Sequence, residues 1–373
     1  MPLPNPLFTL HEAASAEFQP YGPDLQIPQT FGLPQSEYSA IHKSAALIDS
    51  PQRSFLQLTG KDRHSFLNNL LTNQTYNKES KQPLPPHTGV YAFLLNTKGR
   101  ITADFNVLEL ADRTLLELDA RLLPTIESFL NKYLFADQVK IQSLLGQTHL
   151  LSLHGPHAAD LFPDSALRSL SYLQSLDMTF ANTPVTLYRD DQCNVPGYHL
   201  LIPTESAPHI WTSLLNSSFL THHSSFPPRP TGWAAFNSAR IEAGRPLFGI
   251  DFDDTILPAE TSLFNRAVSI TKGCYLGQEI VARMHARNQI PKLLVGLRMQ
   301  SDALPLAGSP ILDNDSNTVG VITSSTLSPI LSNTPIALGY VKKPLYTPGT
   351  QLKIPAEGAF HPATIVETPF LKK

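Results

Sequence analysis

The chain has 373 residues, 42% of them hydrophobic, and its 28 Lys and Arg against 31 Asp and Glu give a formal net charge of -3. That balance leaves no basic footprint for nucleic acid or an anionic membrane surface, and the length predicts two or three domains rather than one core. No apolar run approaches the roughly 20 residues of a spanning helix, and the start Met1-Pro2-Leu3-Pro4-Asn5-Pro6 lacks the regions of a secretory signal, so a cytoplasmic location is expected.

In chain order, Glu37 to Leu47 reads as a short helix. Ser54-Phe55-Leu56-Gln57-Leu58 alternates as a strand and stops at Gly60; Asp62 then caps a helix carrying Phe66, Leu67, Leu70 and Leu71. Val90 to Leu95, a turn at Asn96 to Gly99 and Ile101 to Leu110 make a hairpin pattern, followed by a strand at Thr114 to Leu118 and a helix at Leu122 to Leu134. From His149 the series restarts with a strand to His154, a Gly155-Pro156 turn and helices from Ala158 to Leu170 interrupted near Pro163. Strands at Val185 to Tyr188 and His199 to Ile202 and a helix through Ile210 to Leu215 lead to the proline-rich stretch 225–230. Helices are expected again at Ala234 to Ala243 and Gln278 to Met284. After Pro291 come short strands, Leu293 to Met299, Val319 to Thr323, Ile336 to Val341 and Gln351 to Ile354, as in a small barrel. Mixed α+β with antiparallel pairing is the expected class.

Two cysteines, Cys193 and Cys274, cannot complete a zinc cage or an iron–sulfur ligand set within one chain, so no stably bound metal is expected. There is no Walker loop and no Gly-x-Gly-x-x-Gly opening a βαβ unit. The most informative stretch is Lys272-Gly273-Cys274-Tyr275-Leu276-Gly277-Gln278-Glu279. A lysine two positions before the cysteine and a helix start just after both favour a thiolate, which makes Cys274 a candidate nucleophile or metal contact with Lys272 as its neighbour. A small buried structural thiol is the other reading. Gly273 and Gly277 permit unusual backbone angles or close ligand approach, or serve as plain turn residues. Gln278 and Glu279 can bond a ligand's polar ring edge, although helix-start support alone explains Glu279. Arg283 and Arg287 with Lys272 can meet a carboxylate tail, or form a solvated face.

Elsewhere, Asp104 lies between apolar strand neighbours, where burial costs free energy unless it is paired; it either serves a ligand or points outward. Arg240, Glu242 and Arg245 form a helix-to-loop cluster in which Glu242 and Arg245 can simply pair with each other. The acidic run Asp251-Phe252-Asp253-Asp254 lacks EF-hand spacing and reads as a solvated loop. His154-Gly155-Pro156-His157 and His222-His223 lack partners at metal-ligand spacing and read as structural or loop residues.

The stretch 272–279 resembles the signature of the YgfZ/Iba57 family of folate-binding iron–sulfur cluster assembly and repair proteins, related to the T-protein of glycine cleavage. Similar stretches lie in matching order at Ala46-Leu47-Ile48-Asp49-Ser50, Leu58-Thr59-Gly60-Lys61-Asp62, Leu95-Asn96-Thr97-Lys98-Gly99-Arg100-Ile101 and Arg240-Ile241-Glu242-Ala243-Gly244-Arg245-Pro246. The resemblance implies an α+β, three-domain, aminomethyltransferase-like architecture with a central channel and a small C-terminal β-barrel. Its expected parts are a discontinuous folate-binding core at 35–148 with 231–290, a ferredoxin-like domain at 149–230 and the barrel at 291–373. It further implies tetrahydrofolate or a one-carbon derivative as ligand, with Cys274 and Lys272 as the reactive pair. Asp104, Arg240, Glu242, Tyr275, Gly277, Gln278, Glu279 and Arg283 are then the ligand-binding residues. The implied role is assembly or repair of iron–sulfur clusters, with client enzymes and assembly factors as partners, in the cytoplasm or, in a eukaryote, an organellar matrix.

Two other readings stay open: a folate-dependent aminomethyltransferase acting with a lipoyl carrier, and a folate-binding scaffold in which Cys274 only packs. The aminomethyltransferases carry Arg-Thr-Gly-Tyr-Thr-Gly-Glu-x-Gly-x-Glu, whose first glutamate helps hold the pterin. Aligned on Arg189 and Gly197, both glutamates become Val195 and His199 here. Losing that acceptor argues against glycine-cleavage chemistry.

Overall fold

The structure is a computed structural model that describes residues 5–162, 165–216, 227–287 and 289–371. It divides into two compact units, one formed by Met1–Asn68, Thr75–Tyr91 and Phe105–Phe236, the other by Asn69–Gln74, Ala92–Asp104 and Asn237–Lys373. No helix among the described residues is long and apolar enough to cross a membrane.

The first unit contains a six-stranded sheet in the order Ser175–Phe180, Thr183–Arg189, Gly197–Pro203, Thr148–His154, Ala46–Asp49 and Arg229–Pro230, antiparallel except for the last pair. One face is apolar by period-two alternation, with Leu151, Leu153, Leu187, Leu200 and Ile202 buried. The helix Ala207–Leu215 covers it with Ile210, Trp211 and Leu214. Burying that many large side chains, at about 1.5–3 kcal/mol each, is what holds the helix there. A five-stranded antiparallel sheet runs Lys140–Ser143, Arg53–Thr59, Thr114–Asp119, Ile101–Glu109, Thr88–Leu95.

In the expected helix from Glu37, the structure ends the α-helix Pro34–Lys43 early, because Ala46–Asp49 pairs with Leu151 to His154 as a sheet strand. Its last residue, Asp49, is buried between two histidine rings, accepting from His11 Nε2 at 2.9 Å and His149 Nε2 at 2.7 Å. Burial opposes ionisation of this carboxyl, but the two histidines outweigh it and hold the pKa well below the carboxylate range. The segment 158–170 forms two 3-10 turns, Ala158–Leu161 and Ser165–Ser169, instead of longer helices, and Pro163 and His222-His223 lie outside the described residues.

The second unit ends in a closed barrel, in the order Lys292–Met299, Thr334–Lys342, Thr318–Ser328, Pro310–Leu312, Gln351–Ala356, Ala359–Val366. Leu297, Ile311, Ile322, Val341, Ile354 and Ile365 fill its interior. Closure leaves no unpaired sheet edge, as the short, turn-punctuated strands of the tail required. Two of its six strands, Pro310–Leu312 and Ala359–Val366, were not read from sequence.

Candidate functional site

The segment 272–279 sits on a backbone frame supplied by residues 69–74 and 92–104 of the same unit. Thr72 is the hub: its hydroxyl donates to Ala267 O at 2.7 Å and accepts from Phe93 N at 2.8 Å, while its carbonyl accepts from Ser269 N at 3.0 Å. Asn73 adds a bond from Nδ2 to Arg266 O at 3.0 Å. The chain therefore enters the cysteine loop with its path fixed by buried polar contacts that would be costly to break.

Lys272 is 6% exposed. Its Nζ donates to the Leu71 carbonyl and lies 4.8 Å from the Tyr275 ring centroid, so the loop's cation is turned inward onto a carbonyl and an aromatic face. Tyr275 is itself buried, and burial pushes its pKa up to about 12, which keeps it a neutral phenol. Between these two buried anchors Cys274 is exposed. An outward thiol on an inward-anchored loop is accessible to a bulky electrophile, metal or cluster without rearrangement of the chain.

Gly277 has φ +78°, and a Cβ there would fall 2.7 Å from Asn96 O and 3.1 Å from Gly99 Cα. Gly99 has φ +73° and meets Ile280 in turn. The two glycines, drawn from separate stretches of sequence, thus let the Asn96–Gly99 turn lie directly against the start of helix Gln278–Arg287. Gly277→Ala is expected to lower unfolding free energy by about 1–3 kcal/mol through left-handed strain and the backbone clash. Urea unfolding checks this, and an unchanged midpoint would refute the close-packing account.

On that helix Gln278 is half-buried, while Glu279, Arg283 and Arg287 are exposed. Asp104, on Ile101–Glu109, is 7% exposed. Alternation was expected to decide its direction, but this strand is buried at nearly every position, so both faces are covered.

Arg240 and Glu242 lie on helix Trp233–Glu242 at 1% exposure each. Arg240 donates from Nη1 to Asp251, from Nη2 to Ser324 Oγ at 2.7 Å and from Nε to Asn237 Oδ1 at 2.9 Å. Glu242 accepts from Ser328 Oγ, and its carbonyl from Phe370 N at 2.8 Å. These charges are spent on the barrel strand Thr318–Ser328 and the tail of the same unit, which ties helix to barrel. Arg240 pairs with Asp251, so the acidic run is not a solvated loop throughout. Asp251 and Phe252 are buried and only Asp253 and Asp254 face solvent.

A buried network in the first unit had no sequence signal. Glu117 accepts from Arg53 Nε, Asn106 Nδ2 and the Tyr188 hydroxyl, each at 2.7 Å. Tyr188 stacks on His199 with centroids 4.9 Å apart, and His199 Nδ1 lies 2.9 Å from Ser152 Oγ. Burial pushes the Glu117 carboxyl up, but Arg53, His199 and the Tyr188 hydrogen bond outweigh it and hold it below its ordinary value. His199, at the second glutamate position of the aminomethyltransferase pattern, is therefore committed to neighbours within this unit. His154 is buried, whereas His157 is exposed and bonded to Asp160, and among the described residues no group of three His, Cys, Asp or Glu is placed to hold a metal.

Residues 7–272 match the GCVT N-terminal domain and residues 292–372 the glycine cleavage T-protein C-terminal barrel domain. The chain belongs to the glycine cleavage T-protein family and has its mixed α+β, aminomethyltransferase-like fold with a six-stranded C-terminal barrel. It is similar to the aminomethyltransferase of Nostoc sp., 26% identical over 377 residues covering 99% of this chain and 95% of the relative. That of Saccharopolyspora erythraea is 25% identical, covering 100% of this chain and 99% of the relative. In three dimensions it is similar to glycine cleavage system aminomethyltransferase T from Bartonella henselae, with TM-score 0.86, 24% identity and coverage of 98% of this chain and 97% of that one, a likeness of fold. Cys274, Gly277, Gln278, Glu279 and Arg283 all fall between the two matched stretches.

Proposed function

We propose that this chain binds a tetrahydrofolate and serves the assembly or repair of iron–sulfur clusters in client enzymes, with Cys274 as its working thiol, as in the YgfZ/Iba57 proteins it resembles. The observation that carries the proposal is the exposure of Cys274 on a loop anchored inward by Lys272 and Tyr275. A merely packing thiol is normally buried, as Cys193 is at 1% exposure. The folate part rests on the family fold and on relatives named aminomethyltransferase. In this reading Asp104 and the first turn of helix Gln278–Arg287 face the ligand, while Arg240 and Glu242 hold the helix and barrel that frame it.

Aminomethyl transfer itself is the second reading, favoured by the names of those relatives. Against it stand Val195 and His199, which put no carboxylate at either glutamate position of the transferase pattern. Cys274→Ala is expected to leave folding and tetrahydrofolate affinity unchanged while abolishing rescue of cluster-enzyme activity in cells lacking the protein. Full rescue by the variant would refute the role given to the thiol. Transfer of a labelled one-carbon unit from an aminomethylated lipoyl carrier to added tetrahydrofolate by the purified protein, with release of ammonia, would install the second reading in its place.

A further inference from the structure

The barrel bears a cavity that the folate and thiol reading does not use. It has a volume of about 450 Å³ and opens between the loop 249–256 and strands Thr318–Ser328 and Thr334–Lys342. That is within the roughly 300–1,000 Å³ of small-molecule sites. Phe252, Ile256, Val319 and Val321 give it apolar walls, and Tyr340, Lys292 and Lys342 supply its polar groups.

Tyr340 is 5% exposed, yet its hydroxyl has no hydrogen-bond partner among the described residues. An orphaned buried hydroxyl is costly to leave unpaired, and such a group in a cavity wall marks the place of a ligand's polar atom. Burial first, then the charges of Glu260, Asp251 and Asp253, hold Tyr340 far above the usual phenol range, so it keeps its proton to donate. Lys292 Nζ lies 5.0 Å from the Tyr340 ring centroid and Lys342 Nζ is 3.5 Å from Thr318 O; neither forms an ion pair among the described residues.

The acids nearby are engaged in different ways. Asp251 is held by Arg240, Thr323 and Ser324. Glu260 lies outside the cavity lining and accepts from Leu257 N at 3.0 Å; burial pushes its carboxyl up, opposed by that hydrogen bond and by the charges of Lys292 and Arg100. Asp253, exposed and bonded to Thr255, remains a single negative charge in the wall. Among the groups that line the cavity, Asp251 is paired with Arg240, which leaves Asp253 against Lys292 and Lys342; that set admits a monoanion and disfavours a dianion such as phosphate.

We propose that this cavity binds a small organic monocarboxylate with a flat apolar body. The body lies on Phe252, Ile256, Val319 and Val321, and the carboxylate meets Lys292, Lys342 and the Tyr340 hydroxyl. No residue of the stretch 272–279 lines it, so the site stands whether or not the chain binds folate.

The test is calorimetric titration of the full chain with naphthoate. The wild type should bind one molecule saturably, and neutral naphthylmethanol should bind much more weakly. Lys292→Gln, at a half-buried position, should lose about tenfold in affinity, as expected for a charge-assisted contact. Tyr340→Phe separates structure from binding: a purely structural hydroxyl predicts unchanged affinity with equal or higher stability, whereas the proposed role predicts weaker naphthoate binding by a folded protein. Absence of saturable binding in the wild type, equal affinity for naphthylmethanol, or unchanged affinity in both variants each overturns the proposal.

Discussion

Arg240→Met should lower the unfolding free energy by roughly 3–5 kcal/mol, the cost of stripping one partner from a buried ion pair. The guanidinium and the Asp251 carboxylate are 1% and 0% exposed. Beyond the arginine, Asp251 is left with neutral donors, the hydroxyls of Thr323 at 2.7 Å and Ser324 at 2.6 Å and Leu247 N at 3.0 Å. Neutral dipoles solvate an anion less well than water does, so its desolvation goes uncompensated. The cost comes from the abandoned carboxylate rather than from lost attraction. The double variant Arg240→Met with Asp251→Leu should therefore recover much of the loss, since apolar replacement of a whole buried pair is often neutral. Urea unfolding of wild type, both single variants and the double variant measures this. A loss below about 1 kcal/mol in Arg240→Met would show that the pair is not holding helix to barrel.

How much of this was legible depended on whether the determinant was local. Helix Arg63–Leu70, the strands flanking Asn96–Gly99 and four barrel strands follow from local period and turn chemistry, and the structure has them with ends shifted by a few residues. Strand Ala46–Asp49 was hidden because its partners, Leu151 to His154, lie about a hundred residues downstream, and pairing overrode a helix-compatible sequence. The N-terminal hairpin Glu17–Pro20 with Gln26–Thr30 contains Pro20 and Pro28, which read as breakers unless the strands are known to be at an edge. The same divide runs through the site. Cys274 and Gly277 announced themselves through neighbours in sequence, whereas Ser324 beside Arg240, and Arg53 and Tyr188 beside Glu117, come from distant strands that one sequence cannot connect.

Acidification should unfold the first unit in a window set by His154. Burial first, and then His199, lower this imidazole from its ordinary 6.5 to about 3, with Asp190 opposing. The ring is enclosed by His199 at 5.4 Å and Phe236 at 5.8 Å between centroids, and neither ring nitrogen has a partner among the described residues. Above pH 6.5 the ring is neutral in folded and unfolded chains alike, and it contributes no pH dependence. Between 6.5 and about 3 the unfolded chain takes up a proton that the folded one refuses, so stability falls as pH falls. The slope from this one group is on the order of 1.4 kcal/mol per pH unit. Asp49 and Glu117 act from the acid end of that window downward: their pKa values are depressed in the fold, so their stabilisation is fully present above the ordinary carboxylate range and is lost as pH falls through and below it. His154→Phe keeps an aromatic ring against Phe236 and removes the titration. Unfolding free energies measured by urea between pH 7 and 4 should thus fall less steeply in the variant, by up to one proton, and the two slopes should converge only below about pH 3, where the folded ring also takes up its proton. Identical slopes above pH 4.5 would place the acid sensitivity on other groups and show that His154 reaches a proton in the folded state.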